Sequence, residues 1–158
     1  IKDLGNTLRA QKDPEGVGLA APQVGISSRV FIVLLGKEII PFINPEIIWQ
    51  SEETNDTKKE KRGKLKAKSR KKDNYIMEGC LSLPHYYGPV KRAKVIKVKY
   101  QTLEEQGARV KTFKGLPAQI IQHEIDHLDG VIFVDRLLQQ KRKLYQWEND
   151  KWTEVELP

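Results

Sequence analysis

Leu116-Pro117-Ala118-Gln119-Ile120-Ile121-Gln122-His123-Glu124-Ile125-Asp126-His127-Leu128-Asp129, closed by Gly130, is the stretch on which the fold of this 158-residue chain turns. Pro117 suits the first helical turn, Ala118 to Leu128 is compatible with a helix, and Gly130 is placed to end it. Apolar residues fall on more than one side. Leu116 and Ile120 share a stripe with His123, Glu124 and His127, while Ala118, Ile121, Ile125 and Leu128 cover the rest. A helix apolar nearly all round is a buried helix. Two histidines and a carboxylate inside it would cost several kcal/mol if left unpaired, so they are either hydrogen-bonded core residues or ligands.

The spacing favours ligands. Four residues advance a helix by about 400°, so His123 and His127 project from one face a turn apart and can hold one metal ion between two imidazoles. Glu124, one residue on, can reach a metal-bound water as general base without taking a coordination position. A catalytic metal usually takes three protein ligands. No His follows His127, and the downstream acids, Asp129 and Asp135 among them, do not form the extended metzincin pattern. The only other soft ligand is Cys80, in Glu78-Gly79-Cys80-Leu81-Ser82-Leu83-Pro84. A lone Cys is ordinarily a small buried hydrophobe; beside a two-histidine face it becomes the candidate third ligand. A third cluster, Gly16 to Gly25, sets three glycines and two alanines around Gln23, the one side chain there able to donate a hydrogen bond. It lacks both the Lys-Ser/Thr of a P-loop and the GxGxxG spacing, which leaves a phosphate cradle as the weaker reading.

Outward from these motifs, Ile1 to Lys12 has weak helical spacing (Ile1, Leu4, Leu8) and stops before the turn formers Asp13 to Gly16. Arg29 to Leu35 reads as a buried strand, and Pro41 and Pro45 bound a short extended piece. Lys94 to Tyr100 alternates as a half-buried strand, and Arg109 to Phe113 can return antiparallel after a turn at Glu104 to Gly107. A short strand, Val131 to Val134, and a terminal helix, Arg136 to Trp147, complete the expectation. Strands outnumber helices and are joined by turns, so the expected class is α+β, antiparallel sheets packed around the central helix that bears the HExxH motif. The length suits one catalytic domain over residues 1–158.

The formal charge of +7 is local. Lys58 to Lys72 holds ten basic residues against Glu60 alone, a net +9, so the other 143 residues sum to −2. That balance removes the charge argument for nucleic-acid binding by the fold as a whole. The tract reads as a solvated, disordered insertion at about 54–74, either a self-repelling surface loop or an RNA-contacting tether. One cysteine excludes an intrachain disulfide framework and fits a reducing compartment. No stretch approaches the roughly 18 apolar residues of a spanning helix, and the first residues lack the apolar run of a signal peptide.

Together the three clusters resemble the peptide deformylase family, whose GxGLAAPQxG, EGCLS and HExxHLxG segments stand here in order as GVGLAAPQVG (16–25), EGCLSLP (78–84) and HEIDHLDG (123–130). The resemblance covers nearly the whole chain outside the basic tract. It implies metal ligation by Cys80, His123 and His127, Glu124 as acid/base, and an oxyanion hole from the Gln23 amide and the Leu81 N–H. It further implies peptide alignment by backbone groups of Val17, Gly18 and Gly79, and a methionine pocket lined by Leu116, Ile120 and the aliphatic part of Gln119. The implied cofactor is Fe(II), with Ni(II) or Co(II) as substitutes, although the ligand types also suit Zn(II). The implied reaction releases formate from N-formylmethionyl peptides in a bacterial cytoplasm, an organelle being a further setting, with no membrane and no specific nucleic acid as partner. Docking at the ribosome is expected through the basic insertion or through the C-terminal helix with Lys141, Arg142 and Lys143. The family pattern also implies a further N-terminal segment before Ile1. Position 87 is Tyr where some members carry a substrate-contacting arginine, so that role is not carried over. Two other readings stay open on the residues alone: a zinc endopeptidase using the same helix, and an RNA-binding module with a structural metal.

Overall fold

The computed structural model describes residues 1–56, 76–103 and 107–157. The basic tract Lys58 to Lys72, and most of the turn expected at Glu104 to Gly107, lie outside the described residues. Among the described residues, helix α1 (Lys2–Ala10) leads into β1 (Gly18–Ala20), a 3-10 turn (Ala21–Val24), β2 (Val30–Leu35) and β3 (Glu38–Gln50). Then come β4 (Glu78–Cys80), β5 (Leu83–Gly88), β6 (Val95–Gln101), β7 (Ala108–Lys114), α2 (Leu116–Leu128), α3 (Phe133–Gln139), β8 (Leu144–Glu148) and β9 (Lys151–Val155). Two sheets result, ordered β1-β2-β3-β6-β7 and β4-β5-β8-β9, with every strand pair antiparallel. This is the expected α+β class.

The centre is α2, in which every residue from Ala118 to His127 is buried. Gly115 at φ 64° opens the turn that starts the helix, and Gly130 at φ 72° follows its end, conformations cheap only for glycine. Ala118, Ile121 and Ile125 pack on Phe31, Phe42, Tyr100 and Phe113 of the larger sheet. Phe42 stacks between Phe31 and Tyr100 at centroid distances of 4.7 and 4.3 Å. Burying each such side chain contributes about 1.5–3 kcal/mol. The helix is thereby clamped along its length, which fixes where its polar side chains can point. A second cluster joins Leu4 and Leu8 of α1 to Leu19, Ala21 and Ile32, with Leu81 packed against it. A third gathers Cys80, Val90, Phe133, Leu137 and Leu144.

β3 runs well beyond the short piece expected between Pro41 and Pro45. Pro45 sits where the β3–β6 register slips between Ile43 and Glu46, so the missing N–H falls at an irregularity in the ladder.

The C-terminal expectations are corrected in two places. Val131 to Val134 is not a strand: Asp135 accepts a hydrogen bond from the Ile132 N–H at 2.8 Å, capping a helix that starts at Phe133. Nor does that helix reach Trp147. It ends at Gln139, Lys141 takes φ 53°, and Arg142 is tied to Asp56 and to the Pro89 carbonyl. The remaining chain forms the β8–β9 hairpin around Asn149 and Asp150, both at positive φ (50° and 57°), as a two-residue hairpin loop requires. Lys143 pairs with Glu154 across that hairpin. The basic C-terminal helix expected as a docking element is therefore absent among the described residues.

The flank of the basic tract is tied down. Thr54 bridges Ala93, the Asn55 amide donates to the Val90 carbonyl at 3.1 Å, and the Arg92 N–H donates to Asn55 Oδ1 at 2.9 Å.

Candidate active site

The three sequence clusters converge on one cleft at the junction of the two sheets. Val17, Gly18 and Gln23 supply one wall, Glu78 to Leu81 with Tyr86 and Tyr87 a second, and Leu116, Gln119, Ile120, His123 and Glu124 the floor. Of the residues singled out from the sequence only His127 does not line it, and His127 meets Cys80 and His123 beneath. Val17 and Leu116 are exposed at the rim, whereas Ile120, Gln119, His123, Glu124 and His127 are buried.

Cys80 Sγ lies 3.2 Å from His127 Nε2, and His127 Nε2 lies 3.0 Å from His123 Nε2. One ligand atom from each of the three residues falls within 4.8 Å of the other two. Donor atoms around a tetrahedral centre with bonds of about 2.0–2.3 Å sit roughly 3.3–3.7 Å apart, so a slight expansion would seat one ion. The protonation pattern has the same sense. Burial alone would raise the Cys80 thiol, but hydrogen bonds and charge from His123 and His127 hold it at about 5. Burial would lower His123, yet its bonds to Cys80 and Glu78 raise it to about 10. A thiolate packed on imidazoles is a donor set that a divalent cation satisfies by displacing protons.

The histidine is oriented from behind. Glu78 is buried and saturated: Oε1 accepts from Arg92 Nη2 at 2.6 Å and from His123 Nδ1 at 2.8 Å, and Oε2 accepts from Arg92 Nε at 3.0 Å and Gln119 Nε2 at 3.3 Å. Occupying Nδ1 in this way leaves His123 Nε2 for the ligand cluster. Burial pushes the Glu78 carboxyl up, but the His123 and Arg92 bonds outweigh it and hold the group at about 2. Arg92 also donates to Asp126 at 2.5 Å, and Asp126 receives Arg136 as well. Glu78, Arg92 and Asp126 were not among the residues singled out from the sequence. The available signal was Glu78 itself, an acid beside the candidate Cys ligand.

Glu124 is different: it is buried, and among the described residues its Oε2 is the buried side-chain atom without a hydrogen-bond partner. Burial raises its pKa to about 8, the His123 charge offsetting part of the effect. Its carboxyl fills the space where a Cβ on Gly18 would stand, so any larger residue there would displace the Glu124 carboxyl. A buried acid with a free oxygen beside a converging ligand set fits a site completed by a cation and water.

Gln23 is fixed through its carbonyl, which accepts from the Ala20 N–H at 2.8 Å. This assigns the amide orientation and turns Nε2 toward Ser82 Oγ (3.0 Å) and Cys80 Sγ (3.5 Å). Ser82, not singled out from the sequence, thus engages the amide donor. Gly79 lies under the Tyr87 ring, where an added Cβ would come within 2.6 Å of ring carbon.

The polypeptide deformylase profile matches residues 1–143. A peptide deformylase of Pseudothermotoga lettingae is 39% identical over 143 residues, which cover 90% of this chain and 69% of the relative. The solved peptide deformylase of Thermus thermophilus superposes with a TM-score of 0.69 at 37% identity, covering 89% of this chain and 71% of that one. A class I type b enzyme of Acinetobacter baumannii, solved with Met-Ala-Ser bound, gives a TM-score of 0.64 at 36% identity over 85% of this chain and 79% of its own.

Proposed function

The chain belongs to the polypeptide deformylase family and removes the N-formyl group from polypeptides, and we propose that Cys80, His123 and His127 hold the divalent metal while Glu124, Gln23 and Leu81 perform the proton and oxyanion chemistry. The observation that carries this assignment is the convergence of one sulfur and two imidazole nitrogens beside a buried carboxyl that keeps one oxygen free. The endopeptidase alternative is not favoured by the family match.

When bound, the metal acts as a Lewis acid and makes water a usable nucleophile at neutral pH. Fe(II) is the proposed ion, with Ni(II), Co(II) or Zn(II) able to occupy the same donors; metal analysis of protein purified without oxygen decides among them. Glu124 accepts the proton of the attacking water and returns it to the nitrogen of the leaving amine, a role suited to a carboxyl whose burial lifts its pKa toward neutrality. Gln23 Nε2, released from Ser82, and the Leu81 N–H donate to the oxygen that develops negative charge, where losing one donor costs about 2.7–4 kcal/mol. The Leu81 side chain anchors that backbone in the α1 cluster. Backbone groups of Val17, Gly18 and Gly79 align the peptide, and Leu116, Gln119 and Ile120 receive the methionine side chain. The Met-Ala-Ser held by the Acinetobacter baumannii enzyme supports a peptide beginning with methionine as ligand. The products are formate and a free peptide amine.

Rapid formate release from formyl-Met-Ala-Ser, and no acetate release from acetyl-Met-Ala-Ser, is the expected result with protein loaded anaerobically with Fe(II) or Ni(II). Cleavage of an internal peptide bond instead would overturn the assignment.

We further propose that the basic tract Lys58 to Lys72 brings the enzyme to the ribosome, its +9 charge facing RNA phosphates in a bacterial or organellar translation compartment. Among the described residues no helix is long and apolar enough to cross a membrane. Deleting residues 58–72 while keeping the anchored Asn55 and Asp56 should weaken ribosome co-sedimentation at low salt and leave tripeptide turnover intact. Unchanged co-sedimentation would sink the idea.

A further inference from the structure

The β8–β9 hairpin lies beyond residue 143, where the family match ends, yet it continues the wall of the cleft. Register settles which side chains share its faces. Gly79 stands opposite Tyr87, Tyr87 opposite Tyr145, and Trp147 opposite Trp152. Directly opposed residues project to the same face, as do residues two apart on a strand, so Gly79, Tyr87, Tyr145, Trp147 and Trp152 share one face, with the Lys143–Glu154 ion pair at its border. The opposite face carries Tyr86, Leu144 and Val155, which pack on Phe133 and Leu137. The aromatic face is therefore the outward one.

Its rings form a continuous surface. Tyr87 meets Trp152 edge-on at 5.3 Å between centroids and 83° between planes, and Trp152 lies 4.8 Å from Trp147. Trp152 nonetheless keeps 46% exposure. Tyr87 also lines the catalytic cleft, next to Gly79 and Cys80, so this exposed aromatic surface begins inside the site. A cluster of aromatic rings bordered by an ion pair, in such a place, marks an interaction surface.

Resting on the deformylase reading, we propose that Tyr87, Trp147 and Trp152 form a shelf for the third and fourth residues of the formylated polypeptide, favouring aromatic and large apolar side chains there. The substrate is a chain that must leave the cleft after the formylated residue, and an extended chain advances about 3.3 Å per residue. The wall formed by β4 and β5 leads directly to Trp152. Both indoles are held by strand pairing at two side-chain torsions each, so little freedom is lost when a ring or alkyl chain packs on them. Continuity with the cleft favours the substrate chain over any separate partner.

The test compares kcat/KM for formyl-Met-Ala-Phe-Phe and formyl-Met-Ala-Ser-Ser, with formyl-Met-Ala as reference, in the parent and in Trp152→Ala, Trp152→Thr and Trp152→Phe. Thr preserves strand propensity and Phe preserves a ring. The parent should prefer the aromatic tetrapeptide by about three- to tenfold, the range of an aromatic pair. That ratio should fall to near one in Trp152→Ala and Trp152→Thr and recover in Trp152→Phe, while formyl-Met-Ala, too short to reach Trp152, is turned over alike by all four. Formate release from formyl-Met-Ala tests the underlying activity separately. With that release intact, a ratio near one in the parent, or an unchanged ratio in Trp152→Thr, overturns the shelf. A concentration-dependent dimer that Trp152→Ala abolishes, with the ratio unchanged, assigns the face to a second copy of the chain and overturns it equally.

Discussion

Glu124→Ala should lower kcat for formyl-Met-Ala-Ser by about 10²- to 10⁴-fold, the usual contribution of a positioned acid/base, with one metal ion per chain retained. The separation follows from position. Glu124 is adjacent to His123 in sequence, but the donor atoms that converge closely enough to share one ion belong to Cys80, His123 and His127. Its carboxyl is held against Gly18 with Oε2 unbonded, so it contributes reactivity at the expense of burying an unsatisfied oxygen. Glu124→Gln, which keeps the shape and removes the group that takes and returns a proton, should lose comparable activity without any fall in melting temperature. Formate release and metal content measured on the same samples check both claims. Loss of metal in Glu124→Gln would make Glu124 a ligand, and retained turnover would move the proton transfer to another group.

Arg92→Met should destabilise the protein by about 3–5 kcal/mol in denaturant titration, the cost of removing one partner from a buried ion pair. Arg92 joins Glu78 to Asp126, and all three are buried. Asp126 retains Arg136, so the uncompensated charge is mainly Glu78, the group that orients His123. The pH dependence has a definite sign. Glu78 titrates at about 2 in the folded chain against an ordinary 4.5, so its contribution to stability is complete above pH 4.5 and is lost as pH falls from there toward 2. Arg92→Met should flatten that acid limb, because Glu78 without its guanidinium no longer titrates so low. A cost under about 1 kcal/mol would mean that water reaches Glu78 and Asp126 through the cavity lined by Arg92, Asp126 and Arg136 and replaces the lost partner.

Much of the site was legible because its signals are local. A one-turn spacing places His123 and His127 on a common helix face whatever surrounds them, and the apolar residues around them announce that the helix is buried. Cys80 was legible by elimination among soft ligands together with family resemblance. Glu78 was not, because a carboxylate's partner is chosen in three dimensions: Arg92 and His123 lie 14 and 45 residues away along the chain. Gln23 could be named as a donor, yet only its bond to the Ala20 N–H determines which end of the amide faces Cys80.

The C-terminal segment shows where local pattern runs out. Leu137, Leu138, Leu144 and Trp147 look like one helical stripe, but Leu144 is claimed by the core beside Cys80 and Trp147 by cross-strand pairing with Trp152. Helical propensity over such a stretch is worth a few tenths of a kcal/mol per residue, less than the burial and ladder bonds gained by adding a hairpin to β5. By itself the chain's order of residues determined the class, the buried helix, the one-turn spacing of His123 and His127 and the concentration of charge in one tract, because each depends on neighbours within a turn or a strand. Tertiary structure alone decided which oxygen orients His123, which face of the second sheet turns outward and where the chain ends its helices, because those outcomes depend on partners that only packing brings together.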